Sequence, residues 1–141
     1  MYMLDTNILI FCMRHPDSAC AARVSSHLGK DVCISVVTYA ELEFGICNSS
    51  KPEQSRAAVN RILSGIRIEE FDQLAAKHYG AILAELKKKH KDKQNHDRDK
   101  MIAAHARANH DILVTDNIKD FIDIDGLTLE NWREPGDLKH P

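Results

Sequence analysis

The chain carries one pattern twice: a short apolar run that stops on an acid and continues into small polar residues. Residues 1–4 stop on Asp5-Thr6-Asn7, and residues 111–115 stop on Asp116-Asn117. Apolar runs of this length, bounded by turn signals, read as strands buried on both faces, as parallel sheets require. Parallel neighbours need crossovers, so helices must fill the sequence between them. The pattern predicts an α/β chain with a central, mainly parallel sheet. An acid just beyond a strand's carboxyl end lies where such sheets gather ligands.

The expected elements alternate accordingly. Thr6 and Asn7 are placed to cap a helix over residues 8–13, and Ser18 to cap one over residues 19–28. Residues 31–35 read as a buried strand. The helix after it carries Tyr39, Leu42 and Ile46 on one face, which puts Glu41 about one turn in, near the positive helix end. Glu43, about 200° further round, is a solvated charge. A helix opening at Pro52 bears Ala57, Ala58, Ile62 and Leu63 as its stripe. Residues 67–71 form an edge-like strand, and Asp72 caps a long helix with Leu74, Ala75, His78, Ile82 and Leu86 on one face. Residues 101–109 are a compact alanine-rich helix, and 127–129 a last small strand. His78 and His105 sit on apolar faces as structural histidines.

At 141 residues the chain is one domain, residues 1–133, with a polar tail over 134–141. A composition of 43% hydrophobic and 28% charged residues excludes disorder and collagen. No apolar run is long enough to span a membrane and no signal peptide precedes the first strand, so a cytosolic, cytoplasmic chain is expected. Cys12, Cys20, Cys33 and Cys47 form no C-x-x-C pair and are expected to be buried, reduced thiols. The net charge of −2 does not announce a nucleic-acid binder, but carboxylates that hold cations would mask one. Locally, residues 87–100 carry seven Lys or Arg against three Asp. Alone, such a run is a solvated helix end; beside a carboxylate cluster it becomes a candidate phosphate contact, with Arg14, Lys87, Lys91, Arg98 and Lys100 as the candidates.

Four acids follow strands or open helices: Asp5, Glu41, Asp99 and Asp116. Singly, each is an ordinary helix cap. A parallel sheet would bring them to one edge, where their mutual repulsion calls for divalent cations. Oxygen donors without imidazole or thiolate suit Mg²⁺ or Mn²⁺ rather than zinc. No serine-hydrolase elbow, P-loop or dinucleotide fingerprint is present.

Met3-Leu4-Asp5-Thr6-Asn7, the run from Ile34 to Leu42, Asp99-Lys100-Met101-Ile102-Ala103-Ala104-His105-Ala106 and Leu113-Val114-Thr115-Asp116-Asn117 resemble the motifs of PIN-domain ribonucleases. Within them, the resemblance is greatest to VapC toxins of bacterial type II toxin–antitoxin systems. It implies a PIN-like three-layer α/β/α fold and a Mg²⁺-dependent endoribonuclease acting on tRNA or other structured RNA. It also implies a homodimer, neutralisation by a VapB antitoxin, and contact with operator DNA only through that antitoxin.

Carried over, the acids are Asp5, Glu41, Asp99 and Asp116, with Thr6, Asn7, Ser35, Thr115 and Asn117 as supporting polar residues. Asp120 is a further acid that could help hold a second metal. Such toxins often show Gly-Pro-x-Asp before the alanine-rich helix, where this chain has His96-Asp97-Arg98-Asp99. Asp99 keeps the offset to Ile102 and is preferred over Asp97. The implied chemistry is in-line attack of water on a phosphodiester, leaving 5′-phosphate and 3′-hydroxyl ends. Two rivals are a receiver-type signalling domain, for which residues 69–71 supply no acceptor aspartate, and a silent PIN-like binding module, against which the four intact acids argue.

Overall fold

Five parallel strands form the sheet in the order β3-β2-β1-β4-β5. They are β1 (Tyr2–Leu4), β2 (Val32–Ser35), β3 (Arg67–Glu69), β4 (Ile112–Val114) and β5 (Thr128–Glu130). The computed structural model describes residues 1–92 and 97–139. Between the strands run α1 (Thr6–Arg14), α2 (Ala19–His27), α3 (Val36–Cys47), α4 (Pro52–Leu63), α5 (Gln73–Lys88) and α6 (Asp97–Ala108). Met3 of β1 aligns with Cys33 on one side and Leu113 on the other.

Because side chains alternate across a strand, the sheet feeds two cores. Leu4, Val32, Ile34 and Val114 pack with Ile8, Leu9, Val24, Leu42, Ile46 and Val59, from α1 to α4. Met3, Cys33 and Leu113 pack with Ile82, Leu86, Ile102 and Ala103, from α5 and α6. The three-layer α/β/α expectation is met. The strand order reverses between β1 and β4, which opens a crevice at their carboxyl ends.

Several local expectations are corrected. Asp5 itself caps α1, its Oδ1 accepting the Ile8 N–H at 2.8 Å, so the helix begins at Thr6. The helix α3 starts at Val36, directly on a Ser35 cap, which places Glu41 about a turn and a half in. Glu43 is not merely solvated but paired with Arg56. On α4 the buried residue is Val59 while Ala57 is exposed, and on α5 Leu74 is half exposed. Cys12, Cys20 and Cys33 are buried free thiols, but Cys47 is exposed. Ser18 and Asp72 cap α2 and α5 as expected. His105 is buried and its Nδ1 lies 2.8 Å from the Ser35 hydroxyl, whereas half-buried His78 accepts from Arg107 Nε.

Beyond β5, Pro135–Lys139 forms a short 3-10 turn, and Asp137 within it is buried. No helix among the described residues is long and apolar enough to cross a membrane.

Candidate active site

Asp5 is buried at the carboxyl end of β1, where two strands fix its backbone. It ends β1, and its N–H donates to the Val114 carbonyl of β4 at 3.0 Å. The side chain is 5% exposed. Burial pushes its carboxyl up to about 7, against the opposing pull of hydrogen bonds with the Thr115 side chain and the Ile8 N–H; Asp116 and Asp99 push it further up. Thr115 is fully buried and its hydroxyl also accepts the Asn117 N–H at 3.0 Å.

Glu41 enters from α3. Its Oε1 accepts from the Thr6 hydroxyl at 2.8 Å, and Thr6 lies 3.1 Å from the hydroxyl of Thr38. Its Oε2 accepts from Arg98 Nε at 3.3 Å. Asp99 and Asp97 stand in the first turn of α6, where the helix favours negative charge. Asp99 is half-buried and acts on Asp5; Asp97 is exposed and raises the Tyr79 phenol, after burial of that phenol itself. Half-buried Asp116 accepts from Arg133 Nη1 at 2.8 Å.

Asn7, Glu41, Asp97, Arg98, Asp99, Asn117 and Asp120 line a cleft of about 510 Å³. Asn117 Nδ2 donates to Asp120 Oδ2 at its edge. A second cleft of about 310 Å³ shares Asp99 and Asp120 as a wall and adds Lys91, Lys100 and Lys119 over Leu86, Phe121 and Ile124. Among the described residues no three Asp, Glu, His or Cys side chains form a ready metal cage, and arginines pair with Glu41 and Asp116.

Of the supporting residues expected from sequence, Thr6, Asn7, Thr115, Asn117 and Asp120 lie at the acids or their cleft. Ser35 instead serves α3, accepting the Val37 N–H and meeting His105. Arg98 lines the acid cleft, and Lys91 and Lys100 the second one. Lys87 is exposed on the last turn of α5, and Arg14 sits at the α1–α2 turn with His15, Asp17 and Asp137. Lys93 and His96 lie outside the described residues.

Sequence reasoning missed Thr38, Arg133 and Asp137. Thr38 had a signal, standing three residues before Glu41 on the same helix face. Arg133 had none, being 17 residues from Asp116.

Residues 2–127 match the model of the PIN domain. Over 93% of this chain and 97% of the relative, the sequence is 38% identical to the tRNA(fMet)-specific endonuclease VapC of Shigella flexneri. The chain belongs to the PIN-domain family, among the VapC ribonucleases. Ribonuclease VapC2 of Rickettsia felis is also 38% identical, over 94% of this chain and 98% of its own length. VapBC2 from Rickettsia felis, bound to a DNA fragment from its promoter, superposes with a TM-score of 0.84 at 36% identity, covering 93% of this chain and 98% of that chain. DNA-bound VapBC from Salmonella typhimurium gives 0.85 at 34% identity, covering 93% and 97%.

Proposed function

We propose that this PIN domain is a divalent-metal-dependent endoribonuclease toxin that hydrolyses tRNA or another structured RNA and is neutralised by a VapB-type antitoxin. The placement of Asp5 carries the reading: burial pushes its carboxyl up to about 7, and Asp116 and Asp99 stand near enough to add to that effect, which gathers oxygen donors at one strand end. Such a donor set, without imidazole or thiolate, suits Mg²⁺ or Mn²⁺. Asp5, Glu41, Asp99 and Asp116 would hold the ion. When bound, it would supply a coordinated water of lowered pKa and neutralise charge on the phosphate.

The remaining work belongs to the chain. Thr115 and the Ile8 N–H fix Asp5, and the Thr6 hydroxyl fixes Glu41. Asn7, Asn117 and Asp120 offer polar groups to the sugar–phosphate backbone across the cleft. Arg98, Lys91, Lys100 and Lys119 flank the path of the strand with positive charge. Cleavage would leave 5′-phosphate and 3′-hydroxyl ends. Asp99 is favoured over Asp97 because it is the one that acts on Asp5.

The partners follow from the solved relatives, which are DNA-bound VapBC complexes, one of them on a fragment of its promoter. An antitoxin would bring operator DNA to this chain, and a homodimer would form the toxin part. An apolar groove of about 290 Å³, lined by Cys12, Met13, Val24, Leu28 and Ile62, suits an amphipathic antitoxin helix. The cytosol is the expected compartment.

The test is cleavage of total tRNA by purified protein, with Mg²⁺ or with EDTA. Discrete fragments that need the metal are expected, at least ~100-fold weaker in Asp5→Asn and Asp99→Asn and largely kept in Asp97→Asn. Folded Asp5→Asn protein that cuts at the wild-type rate refutes the reading.

A further inference from the structure

We propose that Arg133 is an internal counter-cation of the acid cluster, and that it sets how tightly this chain holds a divalent metal. The inference rests on the metal-dependent reading above. Arg133 Nη1 donates to Asp116 Oδ2 at 2.8 Å, and the side chain is only 14% exposed. Its Nη2 donates to the Asp137 carbonyl at 3.1 Å, and its guanidinium carbon lies 4.0 Å from the centre of the Phe11 ring.

The segment that holds it is itself anchored. Asp137 Oδ1 accepts the Ala19 N–H and Oδ2 the Cys20 N–H, each at 3.0 Å, and Oδ2 also takes the Glu134 N–H at 3.1 Å. The guanidinium is therefore clamped between Phe11 of α1, the Asp137 turn that is anchored on α2, and Asp116. Arg98 on Glu41 is a different kind of partner: 72% exposed, at 3.3 Å, and screened by solvent.

Toward a cation, Arg133 acts in two opposed ways. It holds Asp116 in one orientation, which favours binding, and it sets a unit positive charge against a carboxylate the cation must share, which opposes binding. The orienting gain is limited to the rotamer freedom of one short side chain, whereas repulsion between a fixed charge and a divalent ion at close range is larger even at the effective dielectric of a protein surface. Charge prevails. Arg133 keeps the cluster balanced without metal and weakens the hold on metal when it comes.

The experiment is Mn²⁺ binding to metal-free full-length protein, read by electron paramagnetic resonance and calorimetry, for wild type, Arg133→Met, Arg133→Gln and Arg133→Lys. The neutral variants are expected to bind Mn²⁺ about tenfold or more tightly than wild type, with Lys within about threefold of it. Their cleavage should saturate at correspondingly lower Mg²⁺. Circular dichroism checks the fold, and Gln, which keeps an N–H donor toward Asp116, decides the matter if Met does not fold. Unchanged or weaker Mn²⁺ affinity in a folded neutral variant overturns the inference in favour of simple orientation. Wild-type protein that binds no Mn²⁺ sinks the metal-dependent reading and this inference together.

Discussion

Asp5 and Asp137 are 5% and 4% exposed, and each accepts backbone N–H groups at the start of a helix, yet their carboxyls move in opposite directions. Burial raises Asp5 to about 7, and its acidic neighbours add to the effect. Burial would raise Asp137 as well, but the N–H groups of Glu134, Cys20 and Ala19, together with Arg133, hold it below the ordinary aspartate range. Both sites remove an acid from water; Asp137 has three N–H donors and a cation to offset that, while Asp5 has the Ile8 N–H and Thr115 and two acids nearby. Asp137 is a finished structural joint. Asp5 favours its protonated form unless a positive ion joins it, which is the difference between holding a fold and serving a site.

The sharpest way to break the comparison is Asp5→Asn in metal-free buffer. A raised carboxyl pKa costs the folded state nothing below the unfolded value near 3.8 and progressively more as pH climbs to about 7. The variant should therefore match wild type in thermal melts near pH 4 and exceed it at pH 8, by on the order of 1–3 kcal/mol. A variant less stable than wild type at pH 8 would remove Asp5 from its role in the contrast.

Asp137→Ala should do the reverse, losing about 1–2 kcal/mol at pH 7 through its uncapped N–H groups. Because the Asp137 pKa is lowered, its contribution is complete above the ordinary value near 3.8 and fades as pH falls through the folded pKa, so the deficit should shrink in acid. Denaturant melts at pH 7 and pH 3 check this. The smallest effect belongs to a surface pair: Arg56→Ala, which removes the partner of Glu43, should leave the melting curve unmoved, since both side chains meet in solvent.

What the sequence made legible was local. The strand runs of β1, β2 and β4 and the caps Ser18 and Asp72 are written in a few adjacent residues, and so are the four acids at strand and helix ends. The start of α3 was not legible, because Val36-Val37-Thr38 is a β-branched run that only the Ser35 cap and burial of Thr38 make helical. On α4 the stripe held at Ala58, Ile62 and Leu63, but it included exposed Ala57 and left out Val59, and one position turns a helix by about 100°. Asp137 could not be read at all: its partners on α2 are more than a hundred residues away.

The strand order carries a consequence for synthesis. The central strand β1 and its neighbour β4 are made at opposite ends of translation, and Asp116 and Arg133 follow β4. A nascent chain of 110 residues already contains Asp5, Glu41 and Asp99 but has no strand on which to close the crevice. If the acid cluster cuts RNA, the ribosome making this chain is shielded from it until the last quarter of the polypeptide has emerged and docked.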